Sequence, residues 1–280
     1  MTDPNPPQGP LLRALASSST ARRRAAMAQL TTYLTSARRF TSLDMLKVWK
    51  ALFYCVYMTP RPRNQQRLSI EISELALSFL PSQTQTGEEE AEEEQNRRED
   101  NLVLFLEAFW ITIAREWEGI DKARLDKFLF LVRRMVYVSF ETCKTASETS
   151  TSAEDEEIEE QEYSFSAATL ARHVATLAKT PLVPRDTAIP VGLRLHVLDV
   201  LLDELAKADP EGKSEIKIVL APVEKLKKET LTKTVKARAS EVLGDERIQR
   251  WGHTEEVEQE LGRDVDGEGR GNDDWDGFGD

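Results

Sequence analysis

NLVLFLEAFWITIAREWEGIDKARLDKFLFLVRRMVYVSF, residues Asn101 to Phe140, holds the densest apolar patterning of the chain, with a charged turn in its middle. Leu102, Phe105, Leu106, Phe109, Trp110, Ile113 and Trp117 recur at three- and four-residue spacing, which places them on one face of a 3.6-period helix. Gly119 is the expected stop, and Asp121 the expected cap of a second helix with Leu125, Phe128, Leu129, Val132, Met135 and Val136 on its core face. Between the two faces Lys and Arg alternate with acids from Arg115 to Lys127. The pattern predicts an antiparallel helical hairpin. Trp117, Asp121, Arg124 and Asp126 are expected to hold it, with Trp49 and Lys127 also read as structural residues.

Upstream, the four prolines of Met1 to Pro10 predict an extended arm, and Leu11 to Ala37 a short helix followed by a longer one, capped at Ser18, Ser19 or Thr20. Leu43 to Met58 is apolar on almost every side over its second half and belongs in the middle of the packing. Thr59-Pro60-Arg61-Pro62 stops it, because proline removes a donor and restricts the residue before it. A helix from about Asn64 to Leu80 follows. Pro81 to Asp100, whose GEEEAEEEQNRRED has eight acids and no apolar pattern, reads as a mobile loop, and so does Thr145 to Glu162.

Downstream, helices are expected over Ala167 to Lys179, over GLRLHVLDVLLDELAKA, over Ser214 to Thr230 with a bend at Pro222, and over Leu231 to Leu243. No window has a period-2 strand bounded by turn residues. The chain is therefore read as all-α: an irregular HEAT- or armadillo-like α-solenoid of antiparallel helix pairs, with a globular bundle as the alternative. The expected organisation is an arm over 1–10, one helical-repeat domain over 11–250 with its acidic loops, and a disordered acidic tail over 251–280.

The formal charge of -12 conceals an asymmetry. Leu11 to Leu80 has eleven Lys and Arg against three Asp and Glu, whereas Trp251 to Asp280 has two against eleven. Cys55 and Cys143 both sit in apolar patterns, which suits a reducing compartment and free thiols. Neither a membrane span nor a secretory leader is visible.

Chemistry is hard to find. His173, His196 and His253 lie in separate segments with no second ligand at metal-binding spacing, and the phosphate-loop, dinucleotide and nucleophile-elbow motifs are missing. His196 with Asp199 is read as a helix-surface hydrogen bond or a partly buried histidine rather than a catalytic dyad. Asp264, Asp266, Glu268 and Gly269 mimic the start of a calcium loop, but Trp275 stands where the bidentate glutamate belongs. No catalytic residue, cofactor, metal, small-molecule substrate or membrane contact is expected. What remains is basic: Arg22, Arg23, Arg24, Arg38, Arg39, Arg61, Arg63, Arg67, Arg133, Arg134, Lys225, Lys227 and Lys228 are the candidates for contact with RNA or protein. Arg22 to Arg24 in the first turn of a helix oppose its dipole, which favours an anionic partner.

LKVWKALFYCVYM with Gln65-Gln66, FLEAFWITIAREWEGIDKARLDKFLFLVRR and IPVGLRLHVLDVLLDELAKA together resemble the eukaryotic nucleolar ribosomal RNA-processing protein one family, also called the 52-kilodalton nucleolar protein family. The resemblance covers roughly Leu11 to Gly252. It implies a non-enzymatic assembly factor of the nucleolus, bound to early large-subunit (pre-60S) precursors and needed for maturation of the 27S-type precursor RNA. Its partners would be other assembly factors first, with precursor ribosomal RNA as a secondary electrostatic contact. The residues alone leave two other readings open, a cytoplasmic helical-repeat adaptor that binds only protein and, more weakly, a metal-dependent nuclease.

Overall fold

The computed structural model describes residues 9–80, 88–146, 163–249 and 251, with 16 and 18 excepted. Residues 1–8 of the proposed arm, 81–87 and 147–162 of the two acidic segments, and 252–280 of the proposed tail, with His253 and the calcium-like pattern, lie outside the described residues. Ten helices are described: α1 (Pro10–Leu15), α2 (Thr20–Leu34), α3 (Ser42–Met58), α4 (Pro62–Glu74), α5 (Glu88–Glu116), α6 (Leu125–Glu141), α7 (Ala167–Lys179), α8 (Val191–Ala208), α9 (Ile216–Glu229) and α10 (Lys233–Leu243). The all-α reading holds.

α3 to α8 each pack most closely on a helix two positions away along the chain, whereas α1 with α2 and α9 with α10 pack most closely on their sequence neighbours. α1, α3, α5, α7 and α9 follow one another in one row, and α4, α6, α8 and α10 in a second, to which α2 is joined through the 3₁₀ turn Leu75–Phe79. The hairpin read from Asn101 to Phe140 is thereby shared between rows, with α5 closest to α3 and α7 and α6 closest to α4 and α8. Such stacking buries two faces of every interior helix. This explains why α3 and α8 are apolar nearly all round, with eight and ten buried residues respectively.

Local rules account for the helix ends. Thr41 and Asp44 form a capping box at the start of α3, and these hydrogen bonds to Thr41 hold the Asp44 carboxyl below the usual range. Ser166 accepts from Thr169 N–H at the start of α7. Asp121 does not sit at the cap position of α6, which is Arg124; it closes the preceding turn by accepting from Arg124 N–H at 3.0 Å. Gly119 ends a 3₁₀ turn (Trp117–Gly119) without a positive φ, and a Cβ there would meet nothing. A glycine is not required at that position.

Two expectations are corrected. The acidic stretch read as loop through Asp100 is helical from Glu88, making α5 29 residues long. Acids at a helix start complement its dipole, Glu94 pairs with Arg97 and Arg98 one turn on, and Arg98 Nη1 reaches the Leu80 carbonyl at 2.9 Å. Arg172 of α7 then clamps Glu99 and Asp100 at 2.8 and 2.5 Å. Composition signalled disorder, but pairing supplies what the missing apolar face does not. The second correction is a two-stranded antiparallel ladder, β1 (Lys144–Ala146) with β2 (Tyr163–Phe165), which brings together the two ends of the second acidic segment. At three residues per strand it is too short to show a period in sequence.

The core tryptophan is Trp49 of α3, 1% exposed. Its ring packs 4.8 Å from both Phe105 and Phe109 of α5, and its Nε1 donates to the Phe105 carbonyl at 2.8 Å. Trp117, expected to anchor the hairpin, is only half-buried, with its indole against Gly192 at the start of α8: a Cβ at Gly192 would lie 3.3 Å from Trp117 Nε1. Leu125 and Leu129 are also half-buried. At the far end, the buried Asp209 accepts from Lys213 N–H, Ser214 N–H, Tyr163 O–H and Trp251 Nε1–H at 2.7 to 3.2 Å. Burial works against this carboxylate, yet the hydrogen bonds keep its pKa below the ordinary value.

Candidate functional site

The basic residues named from sequence divide into three sets once folded. Those on α6 are spent on the structure. Arg133 lies between Asp203 and Glu204 of α8, donating to Asp203 at 2.8 Å and more closely to Glu204, whose side chain is 3% exposed. Arg134 stands 3.7 Å from Glu74 and over the Tyr137 ring. They bind α6 to its row neighbours, so an RNA contact is not what they offer. Arg38 and Arg39, after α2, are exposed but face Asp44 and Asp100 at 3.8 and 3.4 Å. Their segment is fixed by the buried Asn101, which bonds Phe40 N–H and the Arg38 carbonyl.

The second set lies around a cleft lined by α2 and α4. Arg22 and Arg24 are exposed on the first turns of α2, and Arg61 and Arg63 at the start of α4; none of the four has an ion pair or side-chain hydrogen bond among the described residues. Arg67 pairs with Glu71 one turn along α4 at 2.9 Å. Arg23, grouped with its neighbours in the sequence, is instead 6% exposed and ordered, its Nη1 donating to the Ser17 carbonyl at 2.8 Å. Arg61 adopts a φ of 66°, a left-handed value that a non-glycine residue enters only under constraint. Its carbonyl accepts from Asn64 and Gln65 N–H, so the helix start enforces the conformation. The third set, Lys225 and Lys228 exposed and Lys227 half-buried on α9, lies at the other end of the array.

Lys127, read from sequence as a structural residue of the charged turn, is buried by the fold. At 6% exposure its Nζ donates to the carbonyls of Tyr57 at 2.7 Å and Thr59 at 3.3 Å, the last turn of α3, under the Tyr57 ring. It is a cap delivered from a distant helix. Burial, helped by the nearby Arg124, pushes its pKa down to about 8. Arg194, unremarked in sequence, does the same for the turn before α8, donating to the carbonyls of Val183 and Asp186. The only hint was spacing: both cations lie on helix faces whose other members are apolar.

His173 and His196 show no catalytic geometry. His196 Nε2 reaches the Leu129 carbonyl at 2.9 Å, while Asp199 pairs with Arg238 at 2.9 Å. His173 is buried with its Nδ1 2.9 Å from the Ser139 carbonyl and 3.3 Å from Cys143 Sγ, and burial pushes that thiol's pKa up. Both cysteines are free and buried. Among the described residues, no three His, Cys, Asp or Glu are grouped to hold a metal ion, and no helix is long and apolar enough to cross a membrane.

The fold and its surfaces define a helical array in which internal charge is paired and one corner carries unpaired arginines. Residues 6–275 match the family described as nucleolar protein, Nop52. The chain is 31% identical over 211 residues to the ribosomal RNA processing protein 1 homolog A of Homo sapiens, covering 74% of this chain and 38% of that protein. It is 30% identical over 245 residues to the homolog B of Mus musculus, 83% of this chain and 29% of that one. The Dictyostelium discoideum homolog is 29% identical over 174 residues, 60% of this chain and 31% of that one. The chain belongs to the Nop52 nucleolar protein family, and it spans well under half the length of these curated relatives.

Proposed function

We propose that this protein is a non-enzymatic ribosome assembly factor of the nucleolus, a helical scaffold in early pre-60S maturation and in processing of the 27S-type precursor RNA. The observation that carries this reading is the family match over residues 6–275, together with relatives named for ribosomal RNA processing. The structure supports it in what its surface offers: two rows of helices present long faces suited to other proteins' helices and tails. Protein partners supply the main anchorage, and RNA a secondary electrostatic term. A few phosphate contacts yield nonspecific dissociation constants of roughly 10⁻⁴ to 10⁻⁶ M, too weak to place a factor uniquely. The pairing of Arg133, Arg134, Arg38 and Arg39 shrinks the basic surface further.

The test is purification of large-subunit precursors through the tagged protein carrying Glu at Arg22, Arg24, Arg61 and Arg63. Most of the variant stays on the particles. Its disappearance from them, with binding to isolated protein partners intact, would make RNA the main anchor. Failure of even the wild-type chain to enter nuclear particles would favour the cytoplasmic adaptor.

A further inference from the structure

Between α2 and α4 lies a cleft of about 70 Å³, lined by Thr20, Arg23, Arg24, Asn64, Arg67 and Glu71 with Met27 and Leu68. We propose that this cleft is a built phosphate site for the RNA backbone, holding one phosphodiester group between Arg24 of α2 and Arg67 of α4. This rests on the RNA contact proposed above and assigns it a place.

Four observations converge. The lining has three arginines against one acid, Glu71, which Arg67 already engages. Arg23 is preorganised: buried, with its guanidinium held by the Ser17 carbonyl and by Thr20 Oγ1 at 3.4 Å, it places a fixed positive charge behind the cleft. The neutral groups Thr20 and Asn64 can each donate a hydrogen bond to a phosphate oxygen, while the Thr59 hydroxyl is already given to the Cys55 carbonyl at 2.7 Å. The rim adds charge without partners. Thr59 and Asn64 bracket the turn bearing Arg61 and Arg63, and Arg22 neighbours Arg23 on α2, all three with no ion pair among the described residues.

One water needs at least ~10–15 Å³ of such space, so the cleft has room for the oxygens of a phosphate. Arginine's planar fork suits paired phosphate oxygens better than an ammonium does. A rim of further arginines rewards a polymer with a phosphate at every residue over a single phosphorylated side chain, which favours RNA over a phosphopeptide. The lining has no aromatic ring for base stacking, so the site reads backbone and not sequence.

The full chain is titrated against a fluorescent single-stranded oligouridylate of roughly twenty nucleotides from about 50 to 200 mM salt. Arg24→Gln with Arg67→Gln is compared with the charge-matched control Lys225→Gln with Lys228→Gln. The cleft pair is expected to lose about tenfold in affinity and to flatten the salt slope by ~1.4, about 0.7 for each contact removed. The control pair loses less than about twofold, and both melt within a few degrees of wild type. Equal losses in the two pairs, or none in the cleft pair, overturn the site while leaving RNA binding elsewhere intact. Wild-type protein that binds no RNA at all removes the underlying reading with it. A phosphoserine peptide that outcompetes the oligonucleotide at equal phosphate concentration would reassign the cleft to protein.

Discussion

Arg133 and Arg134 in the middle of the array, and Arg22, Arg24, Arg61 and Arg63 at its α2–α4 corner, look alike in sequence as short basic runs beside apolar helices. In the middle, Arg133 satisfies a glutamate 3% exposed to water, and Lys127 and Arg194 tie off backbone carbonyls. At the corner none of the four arginines has an ion pair among the described residues, and one of them, Arg61, sits on strained backbone. Charge in the middle is part of the fold. Charge at the corner is left without ion pairs among the described residues. This separation makes different demands on the two regions under mutation.

The largest effect is expected at the centre. Trp49→Ala removes a buried ring packed on Phe105 and Phe109 and leaves the Phe105 carbonyl without its donor, which should cost about 3–5 kcal/mol in denaturant unfolding. The same truncation at the half-buried Trp117 should cost about 1–2 kcal/mol. Equal losses would mean that the hairpin tip packs as tightly as the interior. Next comes Arg133→Gln, which leaves Glu204 with Lys207 alone at 2.7 Å; chemical denaturation should register a loss of about 2 kcal/mol. A neutral result would erase the contrast with the corner.

Lys127 sharpens the comparison through pH. Its folded pKa, about 8, lies below the unfolded value of 10.5, so between those values the unfolded chain binds more protons and stability rises with pH. The buried thiols act oppositely: burial raises Cys55 from 9.0 to about 12, and Cys143 upward as well, which lowers stability as pH climbs past 9. The readout is therefore the difference between wild type and Lys127→Met, measured by urea midpoint from pH 7 to 10. That difference should shift in favour of wild type as pH rises; a flat difference would mean that Lys127 is solvated.

The smallest effects belong to the corner. Arg61→Gly should raise stability by about 0.5–1 kcal/mol, because glycine accepts a φ of 66° without strain. Arg22→Gln should stay within about 0.5 kcal/mol of wild type by the same thermal melts. A large loss at either position would show the corner to be structural after all.

The sequence by itself determined the helices, because three- and four-residue apolar spacing and proline punctuation are local. It determined the all-α class, the burial of Cys55 and Cys143 and, through long matching segments, the family. It also identified every arginine of the candidate site. What it did not reveal was which charges meet. Arg133 finds Glu204 71 residues away, Lys127 finds Tyr57 70 residues away, and Arg172 finds Glu99 73 residues away. The Arg133 and Arg172 pairs arise from stacking α6 on α8 and α5 on α7, and the Lys127 contact from α6 meeting the end of α3, none of which local spacing encodes. The acidic start of α5 was misjudged as loop for the same reason: its helix is supported by Arg172 of α7, a partner visible only after folding. Periodicity reports how a segment can fold, while ion pairing in low-dielectric surroundings depends on distances of a few ångströms that only the tertiary structure sets.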